Sequence, residues 1–255
     1  MEQIVSQGMS AAQLLQAGQQ TTARGIPLGT YFEDGKRRYV WAHVADATPR
    51  RGVIVRKNGR NLQCVSVAGD QFTPAATVNG YGDATGNTII RAYGLSRVSA
   101  TWVDKLQDGY FEVLSGQGIG VYPVDWIQPG GTGYTKFRIR GGISSGLSTG
   151  SRGIFAPNPY YGCIEFALSG VGMTPCGTPA GACTQTATTS GYQLLQTKGY
   201  GLLKCATACV LSAGKCLMIQ TSNISGATMS AMIVGQSLGK VDGSSIYCPA
   251  DIFID

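Results

Sequence analysis

The chain has 255 residues, 43% hydrophobic and only 13% charged, with a formal net charge of +6. The charged fraction is about half the ~25% of an average soluble domain, while the apolar content excludes a disordered chain. No run approaches the ~20 apolar residues of a membrane-spanning helix, and 37 glycines with 10 prolines favour tight turns over helix.

Residues 1–25 stand apart. Met9 to Gln20 is rich in helix formers, with Ser10 as N-cap and Gly18 as stop. Its apolar side, centred on Leu14 and Leu15, is too small to fold alone. The expectation is a short helical arm that docks on a neighbouring subunit through these leucines, or on the domain's own surface. The first seven residues lack the basic segment and apolar core of a secretory signal, so synthesis in a cytoplasm is expected.

From Gly29 the pattern turns to β. Aromatic and β-branched runs flank Asp34-Gly35, a hairpin signal. Further strands are expected at 52–56, 62–67, 88–92, 97–103, 109–114, 118–124 and 134–139, separated by Gly-containing turns. Residues 141–159 are rich in Gly, Ser and Pro and read as a boundary or crossing loop. Beyond them, short apolar-alternating runs recur every ~8–15 residues. The expected fold is mainly β, built of β-sandwich or barrel-like modules. The expected division is an arm (1–25), a β domain (26–150) and a cysteine-rich C-terminal β module (151–255). A loop from Gly172 to Gly191 reads as an exposed excursion.

Seven of the eight cysteines follow residue 160. Only Cys205 and Cys209 form a close pair, and no second pair or His-x3-5-His completes a zinc set, so no metal is expected. Buried thiols are the default without secretion. Cys176 and Cys183 share the Gly/Pro loop and are the pair most able to oxidise. By strand alternation Leu203 and Cys205 share one face, expected to be the core side.

Catalytic signatures fail one by one. The single histidine, His43, has no Gly-x-Ser-x-Gly elbow to serve. Gly214-Lys215 and Gly239-Lys240 lack the spaced glycine of a phosphate loop, and Gly116-Gln117-Gly118 is a turn, not a dinucleotide site. Carboxylates such as Asp34, Asp83 and Asp108 sit in turns, where Asx chemistry explains them. No enzyme activity and no cofactor are expected; paired carboxylates of a glycan hydrolase stay as the one enzymatic alternative.

Basic residues cluster early. Lys36, Arg37, Arg38, Arg50, Arg51, Arg56, Lys57 and Arg60 lie in one stretch with Asp46 the single acid between Arg38 and Arg60. A solvated hairpin rim, an acidic protein surface and DNA are the three readings; the charge is too small and nearby aromatics too few for nucleic acid. The expected partner contacts are Arg50, Arg51, Arg56, Lys57 and Arg60, together with Leu14 and Leu15.

The order of signals resembles a tailed-bacteriophage virion structural protein of the capsid decoration, or cement, type. Gly29 to Ala42, with Phe32, Asp34-Gly35 and Tyr39, is similar to the opening of such proteins. Asp108-Gly109-Tyr110-Phe111 is similar to a middle strand, and Asn158-Pro159-Tyr160-Tyr161-Gly162 to a link into the C-terminal module. Gly191-Tyr192 to Gly199 and Val234 to Leu238 match that module's strands. The resemblance implies a non-enzymatic protein of the virion's capsid surface that binds the major capsid protein lattice and stabilises the head, as a homo-oligomer such as a trimer. Neither nucleic acid nor membrane is an expected partner. The alternative is a receptor- or glycan-binding tail protein, with Tyr160, Tyr161 and the 172–191 loop as its contact surface.

Overall fold

The computed structural model describes residues 26–45, 50–57, 73–74, 85–93, 103, 105–128, 134–147, 151–165, 178–186, 189–205, 213–214, 216–220, 223–226, 233–239 and 247–254. The arm, Leu14, Leu15, Arg60 and Cys176 lie outside them. The chain is mainly β and divides into two compact units, one of residues 1–59 and 159–255, the other of residues 60–158. Each unit carries one antiparallel sheet.

The division differs from the expected 26–150 and 151–255. The second unit is inserted into the first, and the chain crosses at Gly59/Arg60 and again at Asn158/Pro159. The Gly/Ser/Pro-rich 141–159 segment contains the second crossing only at its end. The first crossing lies at Asn58-Gly59, a turn dipeptide that does not by itself distinguish a unit boundary from a hairpin. What joins the early hairpin to the C-terminal strands is pairing between β2 (Arg37–Val44) and β12 (Gly191–Lys204), with Tyr192 opposite His43 and Leu194 opposite Trp41. Such long-range pairing leaves no local trace.

Among the described residues the first unit's sheet has ten strands. β1 (Tyr31–Asp34) and β2 form the predicted hairpin, with Asp34 opposite Arg37. Its two-residue loop is therefore Gly35-Lys36, one residue later than the Asp34-Gly35 signal. Gly35 has φ +60°, as the first central position of a type II′ turn requires. The remaining members are β3 (Ile54–Arg56), β10 (Ile164–Glu165), β11 (Pro179–Cys183), β12, β13 (Cys216–Gln220), β14 (Asn223–Gly226), β15 (Ile233–Ser237) and β16 (Tyr247–Phe253).

This sheet is buried on both sides near β3 and β11. Successive residues of a strand face opposite ways, so Val55 and Cys183 join one core cluster with Val40, Trp41 and Leu195. Ile54 and Ala182 join another with Leu203, Cys205, Cys248 and Ile252. The continuous apolar run Val53-Ile54-Val55 is what such a strand requires. Leu203 and Cys205 face the core as alternation indicates. The 172–191 segment is not wholly an exposed loop. Pro179–Cys183 is a fully buried strand between β3 and β12, and Cys183 is a core residue. Pro179 and Gly181 had read as turn residues; the bulge between them in the β3 pairing, with Gly181 at φ +152°, accommodates both.

One residue of β12 breaks the apolar rule. Gln193 is 1% exposed, and its side-chain nitrogen and oxygen have no hydrogen-bond partner among the described residues. An unsatisfied buried amide costs about 1–3 kcal/mol. Gln193→Met is therefore expected to stabilise the fold by about 1 kcal/mol or more, measured by urea denaturation; a loss of stability would show that the amide is satisfied in solution.

Among the described residues the inserted unit has six strands: β4 (Thr73–Pro74), β5 (Ile89–Tyr93), β6 (Tyr110–Ser115), β7 (Gly120–Gln128), β8 (Tyr134–Ile139) and β9 (Arg152–Ala156). β7 pairs with β6 through its first half and with β8 through its second, with a register shift between Val124 and Trp126. That irregularity lets one strand serve two neighbours. The core centres on Phe111, Phe137 and Phe155, whose ring centroids lie 4.8–5.2 Å apart. The Tyr122 hydroxyl donates to the Gly118 carbonyl at 2.8 Å and pairs with the Ser144 hydroxyl at 2.8 Å, which ties the Gly116–Gly118 turn to the 143–147 loop.

Candidate functional site

The second half of β12 reads Lys198-Gly199-Tyr200-Gly201-Leu202-Leu203-Lys204. After the buried run Gly191–Thr197, exposure alternates strictly from Lys198 to Leu203. The switch occurs at a bulge between Gln196 and Lys198 in the β2 pairing. There the Gln196 side-chain nitrogen lies within 2.8–3.2 Å of the Lys198, Gly199 and Tyr200 carbonyls, fixing the distorted backbone. Gly199 has φ +86°, and a Cβ there would overlap the Lys36 carbonyl. Only glycine lets the β1–β2 turn seat against β12.

Beyond the bulge, β12 pairs with β16, placing Lys198 opposite Phe253, Tyr200 opposite Asp251, Leu202 opposite Pro249 and Lys204 opposite Tyr247. β15 continues the row, with Gln236 opposite Asp251. The inward side of these strands is Leu203, Ala250, Ile252 and Val234. The outward side is Tyr200, Phe253, Leu202, Tyr247 and Leu238, 38–59% exposed, interspersed with Lys198, Asp251 and Gln236. Lone exposed apolar residues are ordinary, but several on one sheet face form a candidate contact surface.

Two depressions flank Tyr200. One of about 580 Å³ is lined by Arg37, Tyr39, Arg51, Thr184, Gln196 and Leu202 among others. One of about 690 Å³ is lined by Lys36, Arg38, Lys198, Leu238, Asp251 and Phe253 among others. Arg37 and Tyr200 contribute to both. Arg37 also pairs with Asp34 and lies over the Tyr39 ring; burial raises the Tyr39 pKa, with Arg37 opposing and Asp34 adding. Burial lowers the pKa of Lys204, with Arg50 adding to the shift and Glu165 opposing it. The result is an apolar centre with charged and polar edges, the composition of a protein interface.

The chain matches no family model, no curated protein and no solved structure.

The described residues of the basic stretch have different surroundings. Arg50 pairs with Glu165 at 3.5 Å. Arg51 lines the first depression, and its backbone N–H donates to the Thr186 hydroxyl. Arg56 is half-buried, with its Nε enclosed. Lys57 lies over the Tyr160 ring, 5.1 Å from its centroid. Of the residues proposed for a glycan surface, Tyr160 is buried, and Tyr161 is half-buried and stacked on His43 at 4.7 Å. His43 also meets Tyr192 edge-on at 4.9 Å, so its ring is packed in an aromatic cluster. Sequence reading passed over Tyr200, Leu202, Tyr247 and Phe253. The signal available was Gly-Tyr-Gly-Leu, small residues alternating with large ones, whose outward sense depends on where the bulge falls.

Proposed function

We propose that this chain is a non-enzymatic structural protein of a tailed-phage virion, which binds the major capsid protein lattice from the capsid surface and stabilises the head. The observation that supports the reading is the sheet face of Tyr200, Leu202, Tyr247 and Phe253. It exposes apolar side chains on a rigid surface backed by a packed core, and the chain is poor in charge, as suits a surface covered by partners. Stabilisation by such a protein is mass action: a binder of the assembled shell and not of its dissociated subunits shifts the equilibrium by RT ln(1 + [L]/Kd). A homo-oligomer such as a trimer, made in the host cytoplasm, would multiply that contact through avidity.

The test uses shells assembled from capsid protein alone. Tyr200→Asp with Phe253→Asp is expected to weaken attachment by about 2 kcal/mol, or roughly thirtyfold, with circular dichroism unchanged because both side chains are exposed. Undiminished occupancy of the double variant would remove this face from the contact. The receptor- or glycan-binding reading draws on the same aromatics, since Tyr200 stands between two polar-edged depressions; glycan-array binding that Tyr200→Asp abolishes would favour it.

A further inference from the structure

The first unit holds a third, smaller cavity, of about 150 Å³, whose lining includes Tyr31, Arg38, Lys57, Tyr160, Thr197 and Ile254. Two of its lining residues are cationic and none is acidic. The phenol oxygens of Tyr31 and Tyr160 lie 3.0 Å apart. Each carries one proton and the bond between them uses one, so when Tyr160 donates, the Tyr31 O–H is available to the cavity. Lys57 rests over the Tyr160 ring at 5.1 Å, and the Arg38 guanidinium over the Tyr31 ring at 5.9 Å. Among the described residues no carboxylate pairs with Lys57. Arg38 pairs with Glu33 through Nε at 3.2 Å, which leaves its terminal nitrogens as donors. Among the described residues, two cations against one neighbouring carboxylate leave a single net positive charge.

We infer that this cavity is a carboxylate subsite that takes an acidic side chain from a protein partner. The electrostatics ask for one negative charge and the donors ask for an oxyanion. At about 150 Å³ the cavity is the smallest of the three, which favours a short carboxylate side chain such as glutamate's over a pyranose acid. The inference rests on the protein-binding reading above and supplies its charge recognition, in a place where Lys57 takes part and the other described expected cations, Arg50, Arg51 and Arg56, do not.

The experiment needs no capsid, so its failure is separable from failure of the lattice reading. Full-length protein is titrated with sodium propionate, with acetyl-Gly-Glu-Gly-amide and with its glutamine counterpart, at constant ionic strength, while the amide resonances of Lys57 and Tyr160 are followed by NMR. Propionate and the glutamate peptide are expected to shift both resonances saturably, and the glutamine peptide is expected not to. Lys57→Gln and Tyr31→Phe, both retaining the side chain's bulk, are expected to weaken binding at least fivefold. Arg138→Gln, which removes an exposed charge outside the cavity's lining, is expected to leave it unchanged. Equal shifts from the glutamine peptide, or equal effects of Arg138→Gln and Lys57→Gln, would overturn the subsite. Tighter binding of glucuronate than of propionate would replace the protein side chain with an acidic sugar.

Discussion

Phe111→Ala is expected to cost about 3–5 kcal/mol of unfolding free energy, the largest single effect in the inserted unit. Phe111, Phe137 and Phe155 are each at most 1% exposed, and every pair among them is in ring contact. Removing one ring leaves a cavity and also strips two aromatic pairs, each worth about 0.5–1.5 kcal/mol beyond burial. The loss is a large fraction of the 5–15 kcal/mol that holds a typical domain. Gly153 provides the seat for this ring: a Cβ there would lie 2.6 Å from the Phe111 ring edge. Guanidinium denaturation of Phe111→Ala and Phe111→Leu gives the check. Leucine keeps much of the volume and should recover more than half of the loss, whereas equal, small losses below about 1 kcal/mol would show that the three rings do not form a packed core.

Gly199→Ala is expected to be the most damaging conservative change in the first unit. The φ of +86° alone imposes about 1–3 kcal/mol of strain on a residue with a Cβ, and the methyl group would overlap backbone atoms of Lys36 and Arg37. Backbone cannot rotate out of the way as a side chain can, so the hairpin must lift from β12. Gly35→Ala is the control. It also has positive φ, +60°, but nothing lies within 4 Å of its added Cβ, so it bears strain of about 1 kcal/mol and no overlap. Thermal denaturation should therefore rank Gly199→Ala well below Gly35→Ala and the wild type. The hairpin contributes Lys36 and Arg37 to the depression beside Tyr200, so Gly199→Ala should also weaken any partner that Tyr200→Asp weakens. Equal melting of the two glycine variants would contradict the close approach.

Much of the β character was legible because it is local. The aromatic and β-branched run Arg38–Ala45 placed β2, the Gly116–Gly118 turn ended β6, and Tyr134–Ile139 matched its strand to the residue. Leu203 and Cys205 were assigned to the core by period alone, and period survives any rearrangement that keeps a strand a strand. The candidate face was less legible. Tyr200 and Leu202 alternate as plainly as Leu203 and Cys205, yet which set faces outward depends on the strands that cover it, and these come from residues about fifty positions later.

The amino-acid sequence by itself determined the class of fold, the turns at glycine and the absence of a membrane-spanning apolar run, since each depends on a handful of neighbouring residues and their intrinsic geometry. Tertiary structure decided the rest. It joined β2 to β12 across about 150 residues, grouped residues 1–59 with 159–255 around the 60–158 insertion in the chain, and turned the Pro179–Cys183 segment into a buried strand. The physical reason is common to all three. Pairing and burial are set by what lies opposite in space, and a one-residue bulge such as that at Gln196–Lys198 reverses which side chains meet solvent.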